Sequence, residues 1–275
     1  MRRTTPSSTA QNVALARSHL TWLGILDDRF AASMLRPRWA VLGRVLRWPV
    51  VSRLGRNRTF AWLVARTRFF DDAVTGAIDA GVRQVVVLAA GYDSRAWRLA
   101  RPDVRFFEVD HPATQSDKRG RAPAGGPRYV PVDFGADSLE QALLAAGYRT
   151  GEPAVFTVEG VTMYLTEPQV RDLLGTLRRL GAPGSRLAVN FGLGVEAAAA
   201  TTSRMGALLA RVHFTVSGEH ITYRPSIRDA EAVLADSGWR PERTITAPEL
   251  IERYVAGTVL PTTDIKPTAF ALTAG

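Results

Sequence analysis

An acidic pair 19 residues beyond a small-residue turn is the first chemical signal in the sequence. The apolar run ending Val87-Leu88 opens into Ala89-Ala90-Gly91-Tyr92-Asp93-Ser94-Arg95, where small residues let the backbone approach a ligand at a strand's carboxyl end. A second apolar run closes on Glu108-Val109-Asp110, and Asp110 stands 19 positions past Gly91. An acid about 20 residues after such a turn, at the tip of strand two, is where a carboxylate holds a ribose hydroxyl pair. Asp110 is the candidate and Glu108 the neighbouring alternative; the plainer reading of Asp110 is a helix-capping acid before His111-Pro112. Neither G-x-G-x-x-G nor a Walker A lysine occurs, which weakens the dehydrogenase and phosphotransferase readings.

Composition removes other chemistries. The chain has no cysteine, so disulfides, thiolate catalysis and cysteine-bearing metal sites are excluded. His19, His111, His213 and His220 show no metal-ligand spacing, and no metal is expected. The formal charge of +9 raises a nucleic-acid partner. However, Lys118 and Lys266 are the only lysines and the arginines are spread along the chain, so no nucleic-acid partner is expected. The polar opening carries no signal-peptide pattern and no apolar run is long enough to span a bilayer, so the default is a cytoplasmic protein without a membrane partner.

At 275 residues, 46% of them hydrophobic, the chain can bury a large core. Residues 1–12 read as a flexible tail. Residues 13–80 show apolar positions at helical spacing, interrupted by Pro37 and Pro49, and read as a helical cap or a subdomain packed on a sheet. The remainder, 81–275, alternates short β-branched runs with helices, the pattern of βαβ units and a covered, mostly parallel sheet. The strands are expected at 84–88, 104–107, 128–132, 154–158 and 186–191, with a last one near 269–272. Asp137-x-x-Glu140 and Thr166-x-x-Gln169 fit capping boxes, while Gly147 and Gly181 fit helix ends. Ser226 is expected to cap a helix through Ala235, closed by Gly238. An insertion after the fifth strand is expected at about 196–225.

Four stretches together carry a family resemblance: Ala65-Arg66-Thr67-Arg68-Phe69-Phe70-Asp71-Asp72, the block from Gln84 to Leu99, Phe106-Phe107-Glu108-Val109-Asp110-His111-Pro112, and Glu159-Gly160-Val161-Thr162-Met163-Tyr164-Leu165 with Thr166-Glu167-Pro168. Over residues 13 to 191 the sequence resembles the leucine carboxyl methyltransferase family, including its bacterial tetracenomycin-type polyketide O-methyltransferases. That resemblance implies a doubly wound class I methyltransferase fold, Rossmann-like, and S-adenosyl-L-methionine as cofactor. It implies Arg17 and Arg66 at the cofactor's carboxylate, Ala89, Gly91 and Asp93 in the turn, and Asp110 on the ribose. Asp133 and Phe134 are implied around the adenine and Glu159 near the methionine moiety. Two departures stand out: Ala89 replaces the family's first turn glycine, which narrows the space beside the cofactor, and Arg17 replaces a lysine while keeping the positive charge.

The implied reaction is O-methylation of a small-molecule acceptor, a carboxylate or a phenolic hydroxyl of a polyketide-like compound. An ionised carboxylate needs no base, whereas a phenol with a pKa of about 10 would profit from one. Tyr164, His213 and His220 are the candidates for that base, each with a plainer reading as a packing or surface residue. Rival readings are protein carboxyl methylation, RNA methylation and a non-catalytic cofactor-binding relative. Oligomeric state and acceptor identity stay open.

Overall fold

The computed structural model describes residues 5–49, 58–193, 221–260 and 268–275. Among the described residues the helices α1 (Ser8–Trp22), α2 (Pro37–Leu46) and α3 (Arg58–Asp79) come first. Then follow β1 (Gln84–Leu88), α4 (Arg95–Arg98), β2 (Arg105–Asp110), α5 (Pro112–Arg119), β3 (Arg128–Pro131), α6 (Leu139–Ala145), β4 (Ala154–Val158) and a 3-10 turn at Thr162–Tyr164. The chain continues through α7 (Glu167–Leu180), β5 (Arg186–Gly192), α8 (Ile227–Asp236), β6 (Arg240–Thr246), α9 (Ala247–Val255) and β7 (Thr268–Ala274).

The strands form one sheet in the order β3-β2-β1-β4-β5-β7-β6. The first five are parallel, and β7 runs antiparallel to both β5 and β6. Every residue of β1 and of β4 is buried, because helices cover both faces and a doubly covered strand has no use for polar alternation. On one face Leu143, Leu174, Leu177 and Trp239 pack with Phe156 and Leu187; on the other, Val74, Ala77 and Ile78 of α3 pack on Val85, Val87 and Val155. Strand order reverses between β1 and β4, which opens the crevice at the carboxyl ends where such sheets bind ligands.

The helical region 13–80 therefore contains two kinds of helix. α3 is a covering layer of the sheet, whereas α1 lies over the carboxyl ends, its Ala10 against the β1 turn and its entry residue Ser7 donating its N–H to Thr114 on α5 at 3.2 Å. The tail expected through residue 12 ends sooner: α1 begins at Ser8, capped by the Ser7 side chain accepting from the Ala10 N–H at 3.1 Å.

Local signals account for most helix ends. Thr166 and Gln169 form a reciprocal capping box, and Ser226 and Asp229 form another. The expected box at Asp137 is corrected: Ser138 caps α6, and Asp137 instead accepts from the Asp133 N–H at 2.9 Å, bracing the loop after β3. Strand β6 and helix α9 were not foreseen. β6 is an edge strand, mostly exposed and interrupted by a bulge near Pro241, so it lacks the apolar signature of the central strands. Most of the expected insertion lies outside the described residues; its end returns over the turn after β4, where Thr222 donates its N–H to the Met163 carbonyl at 2.8 Å.

Candidate functional site

Strand β1 must reverse at the crevice, and the reversal is made by left-handed backbone. Ala89 has φ +49°, the one non-glycine with positive φ among the described residues, and Gly91 has φ +51°. Left-handed backbone costs a residue with a Cβ about 1–2 kcal/mol. The departure at Ala89 is thus chiefly a backbone strain, beyond the steric narrowing expected from its methyl. At Gly91 even a methyl is excluded, since a Cβ there would stand 2.9 Å from Cβ of Ala10 on α1. The turn is tied to β2 by the Ala90 N–H donating to the Val109 carbonyl at 3.0 Å.

Asp110 sits beside this turn with both carboxylate oxygens engaged. Oδ2 accepts from the Gly91 N–H at 2.5 Å and Oδ1 from the His111 N–H at 2.6 Å. α5 is capped by His111, whose Nδ1 accepts from the Ala113 N–H at 3.2 Å, so the capping role belongs to the histidine. Burial raises the Asp110 pKa, and the two backbone donors only partly offset it. Each carboxylate oxygen has a second lone pair, so the group can still accept from a diol.

Glu108, two residues deeper on the same strand face, is committed elsewhere. It is fully buried and pairs with Nζ of Lys118 on α5 at 2.5 Å, while burial pushes its carboxyl up to about 7 against the pull of the ammonium. The pair joins β2 to α5, as does Gln115, whose amide donates to the carbonyls of Glu108 and Val130.

Beyond the turn lies a buried ion network that sequence spacing did not reveal. Arg95 is fully buried at its centre, with Asp93 at 2.5 Å, Asp71 at 2.7 Å and Glu159 at 2.8 Å. Arg98 reaches Asp71 at 2.7 Å and the Ser94 hydroxyl at 2.9 Å. Arg17 of α1 donates to the Tyr92 carbonyl at 2.5 Å, pairs with Asp28 at 3.1 Å and stands 3.9 Å from Asp93. Arg66 of α3 pairs with Glu159 at 2.8 Å and stacks over Trp62 at 4.3 Å. Burial favours a raised Asp93 pKa, but Arg95, then Arg17 and Lys118, outweigh it and hold the carboxyl below the ordinary range. Burial lowers Arg66, with Glu159 pulling the other way.

The four arginines and the carboxylates of Asp28, Asp71, Asp93 and Glu159 balance in charge, so a zwitterionic amino-acid group can enter without leaving a net buried charge. Gly160, at φ +68°, adds an approach: a Cβ there would come 3.3 Å from Nη1 of Arg66. The signal for Arg95, Arg98, Asp71 and Asp28 was charge inside otherwise apolar blocks, which has meaning only once the elements are packed.

The remaining candidates divide. Asp133 follows β3, accepts from the Gly135 N–H at 3.0 Å and lies 4.0 Å from His111; Phe134 beside it is 39% exposed. Tyr164 is half-buried in the 3-10 turn after β4. His213 and His220 lie outside the described residues. A carboxylate at the β2 tip, an open aromatic at the β3 tip and a charge-balanced ion cluster at the β1 and β4 tips suit a nucleoside joined to an amino acid.

Fold and site together define a doubly wound α/β protein with its candidate ligand site at the switch point of the sheet. The chain matches the model of the leucine carboxyl methyltransferase family over residues 8–178, and it belongs to that family. It is 46% identical over 141 residues to a Parafrankia sp. (strain EAN1pec) protein named as an S-adenosyl-L-methionine-dependent methyltransferase, a match covering 49% of this chain and 46% of that one. A Mycolicibacterium paratuberculosis (strain ATCC BAA-968 / K-10) protein of the same designation is 36% identical over 85% of this chain and 79% of its own. This chain spans about half the length of the first relative. The fold also matches a crystal structure from Thermobifida fusca YX with a TM-score of 0.59 at 17% identity, covering 98% of this chain and 95% of that one.

Proposed function

We propose that the protein is an S-adenosyl-L-methionine-dependent O-methyltransferase that modifies a carboxylate or phenolic hydroxyl of a small molecule. The observation that carries this reading is Asp110, clamped at the β2 tip by the Gly91 and His111 amides beside a strained, glycine-bearing turn. Its buried, pinned carboxylate suits a ribose diol. In this reading Arg66, with Arg17, would meet an amino-acid carboxylate, Glu159 an ammonium, and Asp133 with Phe134 the adenine edge and face. Relatives named as S-adenosyl-L-methionine-dependent methyltransferases support the same cofactor.

When bound, this cofactor supplies a methyl group on a positively charged sulfur: the acceptor oxygen forms the new C–O bond as the C–S bond breaks, its electrons staying on sulfur. The protein's part is to hold the acceptor oxygen about 3–3.5 Å from the methyl carbon, in line, and to exclude water. A carboxylate acceptor arrives ionised; a phenol gives up its proton to a nearby base or to water.

The test is incubation with methyl-labelled cofactor and a panel of aliphatic acids, aromatic acids and phenols, followed by mass spectrometry. Labelled ester or ether is the expected product. Calorimetry with S-adenosyl-homocysteine is the companion measurement: no heat from folded protein at high micromolar ligand would defeat the cofactor reading, and label transfer only to RNA or to protein would overturn the acceptor class.

A further inference from the structure

The net charge of the chain is not spread as its arginines are. From Arg29 to Arg58 there are eight arginines and no Asp or Glu, so this one stretch carries +8 against +9 for the whole chain. It includes α2, which sits on α1 by its narrow side: a Cβ on buried Gly43 would lie 3.2 Å from Leu15 Cδ1, so the two helices approach closely there. Trp39 and Leu46 flank that contact, half-buried.

The opposite side of α2 is apolar and open. Val41, Val45 and Trp48 fall at i, i+4 and i+7, one stripe of the helix and its exit, and they are 57%, 38% and 67% exposed. Arg38 and Arg44, both exposed, flank that stripe, one on each side, with Leu42 at 43% exposure beside Arg38 and exposed Arg47 nearer the inner face. A helix normally turns such a stripe inward; here the buried side is the glycine side. Basic side chains bordering an exposed apolar stripe with an indole at its end are the chemistry of an interfacial helix, which lays aliphatic groups among acyl chains and arginines among anionic headgroups.

We infer that α2 docks the protein on an anionic lipid surface, with Val41, Val45 and Trp48 inserted and Arg38 and Arg44 on the headgroups. No helix among the described residues is long and apolar enough to cross a membrane, and interfacial docking requires none. The absence of carboxylates from this stretch matters as much as the arginines, because a single exposed acid would be repelled from the same headgroups. A nucleic acid would use the charge but leave the aliphatic stripe unsatisfied. The inference stands apart from the proposed reaction, since none of these residues belongs to the ligand site.

The experiment is vesicle cosedimentation of the full chain with phosphatidylcholine alone and with equal parts of phosphatidylcholine and phosphatidylglycerol. Binding is expected to the anionic vesicles only, weakening as salt rises. Arg38→Gln with Arg44→Gln should weaken it about 25-fold, roughly fivefold for each charge near the surface. Val41→Ser with Trp48→Ser should weaken it tenfold or more. Far-UV circular dichroism and thermal unfolding should be unchanged in both double variants, showing that they fold. Parent protein that stays in the supernatant with anionic vesicles at low salt overturns the inference. So does anionic-vesicle binding that survives Val41→Ser with Trp48→Ser, which would mean charge adsorption alone. A dimer dissolved by Trp48→Ser, without vesicle binding, would reassign the face to a second copy of the chain, and tighter binding to RNA than to vesicles would reassign it to nucleic acid.

Discussion

Replacing Asp110 by alanine tests the site and the turn together. The carboxylate accepts the Gly91 and His111 N–H groups at 2.5 and 2.6 Å in a buried setting. A buried donor left without a partner costs about 1–3 kcal/mol, so losing both acceptors should lower stability by about 2–4 kcal/mol, allowing for partial relaxation of the turn. Cofactor affinity should fall separately, by roughly 1.5–3 kcal/mol for the lost bonds to a charged acceptor, a ten- to hundredfold rise in Kd. Urea unfolding without ligand measures the first quantity, and calorimetry with S-adenosyl-homocysteine on the folded variant measures the second. Asp110→Asn separates them further: its one carbonyl oxygen can serve only one of the two amides, so about half the stability cost should remain. A folded Asp110→Ala protein that binds like the parent refutes the ribose role. A variant as stable as the parent refutes the claim that this side chain closes the turn.

Other outcomes follow from the same geometry. Ala89→Gly should stabilise the protein by about 1 kcal/mol, because relief of the left-handed strain exceeds the added chain entropy; a denaturation midpoint lowered by the change would show that the methyl packs better than it strains. Arg66→Ala should weaken S-adenosyl-homocysteine binding at least tenfold while the fold persists, since Glu159 keeps Arg95. Hydrogen exchange across α1 and α3 should fall on ligand binding in the parent and less so in the variant, and equal affinity and exchange in both would remove Arg66 from the site. Glu108 has a folded pKa raised from 4.5 to about 7, so the stability it lends is full below about pH 4.5 and is lost as pH rises through 7. The difference in unfolding free energy between parent and Glu108→Gln should therefore shift against the parent across that window; a pH-independent difference would mean the carboxyl is ionised throughout.

The sequence by itself determined the doubly wound class, five of the seven strands among the described residues within a residue or two, and the tips from which a ligand would be held. Those features are local: an apolar run buried on both faces, a turn of small residues and a capping box each report themselves in a few adjacent positions, as Gln84–Leu88 and Thr166 with Gln169 do. Acid-to-turn spacing marked Asp110 because a strand pair fixes how far one tip lies from the next.

Only the tertiary structure decided which acid faces what. Glu108 and Asp110 are two residues apart in sequence, yet one meets Lys118 in the interior and the other the Gly91 amide at the crevice, because a helix covers the first and the turn reaches the second. Arg95 became the centre of the ion network through partners from α3, the β1 turn and the β4 tip, up to 64 positions away from it in sequence. Edge strand β6 was invisible for the opposite reason: its backbone pairs with β7 while most of its side chains stay in water, so pairing left no trace in residue type. Where a group's environment is built by segments distant in sequence, neither its charge state nor its partner is written in its neighbours, and packing alone assigns both.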